Sequence, residues 1–230
     1  MRNTILIALF LGFGFSVSAQ TVEKTIKLNN TSKLVYNVDE SNNTKSGIYA
    51  IQNLKNNGVW LKGNYKNDTR VGLWYFFDSK NKLTMRYNYD QKKLAFIDTA
   101  ALGAVSVNIL SKDPEIVKNA SAPLPLCSVD YMVALIAGKL NGGYGTSVAE
   151  ITARVDAAGK ATYSVSYVKD NKKTDKKKID FDTNNFWIDW IPSMYNNKPV
   201  ESEFTVYATL NGSNDSSAPA SAVRRFRWDN

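Results

Sequence analysis

Gly58-Val59-Trp60-Leu61-Lys62-Gly63-Asn64-Tyr65, followed by Lys66-Asn67-Asp68-Thr69-Arg70-Val71-Gly72-Leu73-Trp74-Tyr75-Phe76-Phe77-Asp78, is the stretch that sets the architecture of the N-terminal half. It holds two copies of a three-residue signal, glycine then aliphatic then aromatic, at Gly58-Val59-Trp60 and Gly72-Leu73-Trp74. A third stands upstream at Gly47-Ile48-Tyr49. Polar turns separate them, at Lys55-Asn56-Asn57, Lys66-Asn67-Asp68 and Asp78-Ser79-Lys80-Asn81. Short apolar runs between polar turns at near-regular spacing predict an antiparallel meander from Thr21 to about Leu94, with Lys33 to Val38 as an early strand. The glycines are expected where the chain turns or bulges into each strand. Alternation puts Trp74 and Phe76 on one face and Tyr75 and Phe77 on the other. One of these aromatic faces must be covered, by the rest of the chain or by a partner.

Downstream the pattern changes. Asp113-Pro114-Glu115 reads as an N-cap with proline at the first helical position, opening a short helix to about Asn119. Ala122-Pro123-Leu124-Pro125 is linker-like. Ser128 caps the clearest helix of the chain, with Val129, Met132, Val133, Ile136 and Leu140 at helical spacing and Asn141-Gly142-Gly143 as its stop. Val148 to Val155 predicts a strand with Ile151, Ala153 and Val155 on one face. Asp156-Ala157-Ala158-Gly159 is a turn, and Ala161 to Val168 returns. The run Lys169 to Lys178 carries six lysines against two aspartates. It reads as a solvated loop, or as a contact for an anionic membrane surface. Phe186 to Trp190 is an aromatic helix or turn. Glu201 to Leu210 is a strong strand, with Phe204, Val206 and Ala208 alternating against Thr205, Tyr207 and Thr209. Arg224 to Trp228 is a candidate basic edge strand. The fold class expected is α+β, divided as 20–95, a connecting segment 96–127, and 128–230.

The start of the chain bounds the compartment. Met1-Arg2-Asn3, the apolar run Ile5 to Phe15 and the small residues Ser16 to Ala19 have the layout of a cleavable signal peptide spanning 1–19. The run is shorter than a membrane-spanning helix. A mature chain from Gln20 loses only Arg2, so the formal charge falls from +8 to +7. Such a basic surface either maintains solubility or favours anionic partners. Export argues against nucleic acid.

Composition also removes chemistries. With no histidine, serine and cysteine nucleophile arrangements that depend on one are excluded, and the commonest zinc ligand is missing. Cys127 is alone and reads as a small buried hydrophobe. Gly142-Gly143-Tyr144-Gly145 lacks the lysine and hydroxyl ending of a phosphate loop. No cofactor or metal site is expected. Asp180, Asp182 and Asp189 beside Trp187 and Trp190 form a minority constellation for carbohydrate chemistry. The bland alternative places the first two on a strand surface and Asp189 on a short helix.

Two resemblances add to this reading. Gly47 to Leu94, through Gly58 to Tyr65, Lys66 to Asp78, Lys82-Leu83 and Tyr87, resembles the MORN-type repeat, which implies a repetitive β scaffold rather than a chemistry. Ser128 to Leu210 resembles the TonB C-terminal domain, most clearly at Trp190-Ile191-Pro192, Asn196-Asn197-Lys198-Pro199-Val200 and the last strand. That resemblance implies a protein-binding module of the bacterial envelope whose last strand lies at a sheet edge and pairs with a partner's extended segment. Ser202, Phe204, Thr205, Val206, Tyr207 and Thr209 are then the expected contact residues, with Tyr75 and Phe77 as a second candidate surface. The expectation is a non-catalytic, exported binding protein, periplasmic or on the outer surface. An anchored energy transducer, a carbohydrate-active protein and an antitoxin-like repeat protein are the alternatives. The chain has only six prolines, and so lacks the long proline-rich spacer of a transducer.

Overall fold

The computed structural model describes residues 21–102, 105–137, 147–169, 172–174, 176–180 and 187–210. The signal segment, the glycine-rich stop after the long helix, Asp182 and the basic C-terminal segment lie outside them. The described residues are mostly antiparallel sheet with few helices, a β-rich α+β arrangement.

The meander is a seven-stranded sheet in sequence order: Thr21–Asn29 (β1), Ser32–Asp39 (β2), Lys45–Asn53 (β3), Gly58–Lys66 (β4), Thr69–Phe77 (β5), Leu83–Asn88 (β6) and Lys93–Ile97 (β7). Its polar turns work because asparagine tolerates the left-handed backbone region. Asn43, Asn57, Asn67, Asp68 and Asn81 all have positive φ. The expected alternation holds: Trp74 and Phe76 are fully buried, while Tyr75 and Phe77 are half-exposed. At Gly63, three residues of β5 face a single residue of β4, since Lys62 pairs with Tyr75 and Asn64 with Val71. The Trp74 ring fills the room this creates, and a Cβ on Gly63 would stand 2.3 Å from it. A second irregularity, between Ile51 and Gln52, leaves Trp60 without a direct partner on β3. Trp60 and Leu61 are both buried as a result.

The second sheet is built from a long hairpin and two distant strands. A short 3₁₀ turn, Thr99–Leu102, leads towards Val105–Ile109 (β8), then Pro114–Asn119 (α1), Leu124–Pro125 (β9) and Val129–Ala137 (α2). Ser147–Val155 (β10) and Ala161–Lys169 (β11) form the expected hairpin. Lys172–Lys173 (β12) and Lys177–Ile179 (β13) fold back on β11. Trp190–Ile191 (β14) pairs with β9, Ser193–Tyr195 (β15) pairs with Lys198–Val200 (β16), and Ser202–Leu210 (β17) ends the described chain. The main path of this sheet runs β12-β11-β10-β17-β8.

Both helix starts obey their caps. The Asp113 carboxylate accepts from the Glu115 N–H at 2.9 Å, and Ser128 Oγ accepts from the Tyr131 N–H at 3.2 Å. Helix α2 is what covers the aromatic face of the meander. Its Tyr131 ring lies 5.5 Å from that of Trp60. Tyr131, Met132, Val133 and Ile136 belong to the same buried cluster as Tyr49, Leu61, Trp74, Phe76 and Met85. Asp130, in the first turn of α2, accepts from the Ser79 N–H at 2.9 Å and from its hydroxyl. The two halves therefore share one core.

Two expectations need correction. The lysine run is not a free loop: Lys173 pairs with the buried Glu150 at 2.6 Å, Lys176 with Glu203 at 3.9 Å and Lys178 with Asp180 at 3.1 Å. Trp187 to Asp189 is irregular chain rather than helix, and Trp190 belongs to a strand.

Candidate functional site

The strand expected at a sheet edge is an interior strand over most of its length. Ser202 to Leu210 pairs with β10 throughout, and Ser202 to Val206 pairs on the other side with Ile109 to Val105 of β8. The connecting segment thus supplies the strand that closes this edge. Ser202, Phe204 and Val206 are buried, and Thr205 shares a hydroxyl–hydroxyl hydrogen bond of 3.3 Å with Thr152. Only Tyr207 to Leu210 has a neighbour on one side alone among the described residues, and there Tyr207 is exposed. The edge reading is corrected for Ser202 to Val206: with both ladders filled, their backbone has nothing left to offer an incoming strand.

Tyr75 and Phe77 lie where expected, on the outer face of the meander. Register places Ala50, Lys62, Tyr75, Arg86 and Phe96 side by side across β3 to β7. At about 4.8 Å per strand this row is about 19 Å wide. The Lys62 ammonium sits over the rings of Tyr75 at 5.8 Å and Phe77 at 5.9 Å, and the Arg86 guanidinium over Phe96 at 5.4 Å. Neither cation is within ion-pair distance of a carboxylate among the described residues. Arg86 Nε is buried with no hydrogen-bond partner. Ile48 and Leu73 add exposed apolar surface nearby.

A second constellation joins the two halves, and sequence reading missed it. Arg70, on the inward side of β5, is buried among aromatic rings. It donates to Tyr65 Oη at 3.0 Å, Tyr89 Oη at 2.7 Å, Asp189 Oδ2 at 2.7 Å and the Trp187 carbonyl at 3.1 Å. Its guanidinium carbon lies 4.8 Å from the ring centre of Trp74 and 5.1 Å from that of Trp187. Burial pulls its pKa down, but the surrounding Tyr89, Asp189 and Tyr65 outweigh this and hold it above the ordinary arginine value. Asp189 accepts hydrogen bonds on both of its oxygens. Its Oδ2 also accepts from Tyr89 Oη at 2.7 Å, and its Oδ1 accepts from Trp187 Nε1 at 2.7 Å. The signal was an arginine in register with inward aromatics, but its carboxylate partner is 119 residues away.

Beside this clamp lies a cleft of about 550 Å³, lined among others by Lys160, Thr162, Tyr163, Lys178, Asp180 and Trp187. Two of the three aspartates singled out from sequence, Asp180 and Asp189, meet here with Trp187. Asp182 lies outside the described residues. Trp190 is buried, its Nε1 donating to Tyr163 Oη at 2.9 Å. Asp189 is committed to Arg70, Tyr89 and Trp187, and Asp180 is exposed and paired with Lys178.

Cys127 is buried, and desolvation drives its thiol well above the ordinary range. This is the opposite of what a nucleophile requires. Among the described residues, no three acidic or thiol side chains cluster to hold a metal, and no helix is long and apolar enough to cross a membrane. Comparison with protein families, curated proteins and solved structures gives no match to this chain.

Proposed function

We propose that the protein is an exported, non-catalytic protein-binding module of a bacterial cell envelope. In this reading a MORN-like meander and a TonB-C-terminal-like α+β domain share a core, and the outer face of the meander is the contact surface. The observation that carries it is the row Lys62, Tyr75, Arg86 and Phe96 with Phe77, where aromatic rings and cations with no carboxylate partner among the described residues share one sheet face. Aromatic and arginine side chains are the residue types enriched at the energetic centres of interfaces. The signal-peptide layout at 1–19 supports the compartment, and the resemblance of 128–210 supports the class.

The test is a crosslinking pull-down from the envelope fraction with the mature chain and with Tyr75→Glu/Phe77→Glu. Both side chains are half-exposed, so the variant should keep its far-UV circular dichroism and melting temperature while losing specific envelope proteins. Unchanged capture by a folded variant sinks the assignment. Mass spectrometry of the native N-terminus separates it from the anchored transducer, because a chain starting at Gln20 has no anchor. One further reading is favoured by Tyr207 to Leu210, which have a ladder neighbour on one side alone among the described residues and so offer a short ledge where a partner strand can add. Loss of capture by Tyr207→Asp, with Tyr75→Glu/Phe77→Glu unaffected, would move the site there.

A further inference from the structure

The cleft beside Trp187 is lined entirely by residues of the second half of the chain, whereas the row just described belongs to the meander. The cleft's volume of about 550 Å³ is that of a small-molecule site. Two of its walls are held by packing and hydrogen bonds. The Asp156-to-Lys160 turn is pressed against the chain at Trp190: Gly159 has φ of 77°, and a Cβ there would stand 2.7 Å from the Trp190 carbonyl oxygen. Trp187 is held at three points, by Arg70 on its carbonyl at 3.1 Å, by Asp189 on its indole N–H at 2.7 Å and by the guanidinium against its ring. Yet the side chain so firmly placed is 42% exposed. A buried ion pair that positions an exposed indole at the rim of a cleft is the layout of a stacking platform rather than of core packing.

The chemistry around the platform selects the ligand. Lys160 and Lys178 bring two ammonium groups, Asp180 a carboxylate and Thr162 a hydroxyl. With Asp189 neutralised by Arg70 and Lys178 paired with Asp180, the described lining residues carry a net single positive charge, that of Lys160. A strongly anionic nucleotide would face Asp180, and a fatty ligand would strand the polar groups. A sugar ring with an apolar C–H face, several hydroxyls and one carboxylate satisfies all of them: its C–H face packs on Trp187, its carboxylate meets the lysines, and its hydroxyls donate to Asp180.

We propose that this cleft binds, without cleaving, a uronic-acid unit of an acidic glycan. Cleavage is not part of the proposal because both Asp189 oxygens already accept hydrogen bonds.

The experiment titrates the mature chain with trigalacturonate and with neutral maltotriose, by calorimetry and tryptophan fluorescence. Trigalacturonate should bind at least about tenfold tighter than maltotriose, and Lys160→Glu and Lys178→Glu should each weaken it by about tenfold. Trp187→Ala should abolish binding. Because that change also removes a hydrogen bond to Asp189, the lysine variants, on exposed side chains, carry the test on an undisturbed fold. No binding of trigalacturonate at millimolar concentration, equal binding of both sugars, or full binding by both folded lysine variants would overturn the proposal.

Discussion

Replacing Arg70 by methionine should destabilise the protein by about 3 kcal/mol. The figure comes from what the guanidinium leaves behind. Methionine follows much of the same path through the aromatic cage, so little cavity is created. What is lost is a set of hydrogen bonds to Tyr65, Tyr89, Asp189 and the Trp187 carbonyl. Removing one member of a buried pair costs about 3–5 kcal/mol, because the other charge stays behind. The Arg70 side chain is 5% exposed and that of Asp189 is 30%, so water can partly resolvate the stranded carboxylate. The lower bound therefore applies. Asp189→Asn should cost at least as much, about 3 kcal/mol, since it leaves the more deeply buried guanidinium without its counter-charge and turns an amide nitrogen towards either a donor from Trp187 or those of Arg70 and Tyr89. The double variant should cost less than the sum by about 1–2 kcal/mol, the signature of groups acting on each other. Urea unfolding of the four proteins, followed by tryptophan fluorescence and far-UV circular dichroism, measures all of this. Repeating it at high salt should leave the differences standing, as a buried pair is poorly screened. A cost below about 1 kcal/mol for Arg70→Met, together with strict additivity in the double variant, would refute the view that this clamp joins the two halves.

Three other outcomes follow from single positions. Gly63→Val places atoms where the Trp74 ring now lies, so the melting transition should fall by an amount equivalent to about 3 kcal/mol or prevent folding altogether. Thr205→Pro removes a donor from a strand flanked on both sides. It should unfold the second sheet, as read by loss of far-UV signal, rather than merely block a partner as it would at a free edge. Cys127 should resist a thiol reagent at pH 8 in the native protein and react only as fast as the protein opens, because burial raises its pKa and so disfavours the thiolate. Rapid labelling without unfolding would contradict its placement.

Local features were legible from the sequence because their causes are local. The meander strands, the hairpin at Asp156 to Gly159 and the caps at Asp113 and Ser128 rest on alternation, turn chemistry and the first-turn hydrogen bond. Each is decided within a few residues. The separation of Trp74 and Phe76 from Tyr75 and Phe77 follows from strand geometry alone. The error at Trp187 to Asp189 has a physical reason as well. Aromatic residues there look like helix or turn, but their conformation is set by Arg70 and Tyr89 from another sheet.

The same division holds for function. By itself the sequence determined the strands, their inward and outward faces, the signal-peptide layout and the loss of histidine-based chemistry. Only the tertiary structure decided which edges are closed and which distant groups meet. Alternation says which face of Ser202 to Leu210 is buried but not whether a neighbour lies beside it. That neighbour, β8, comes from about a hundred positions upstream, where Ser106 pairs with Thr205. The clamp and the cleft likewise depend on chain closure over long separations, which no short-range pattern encodes.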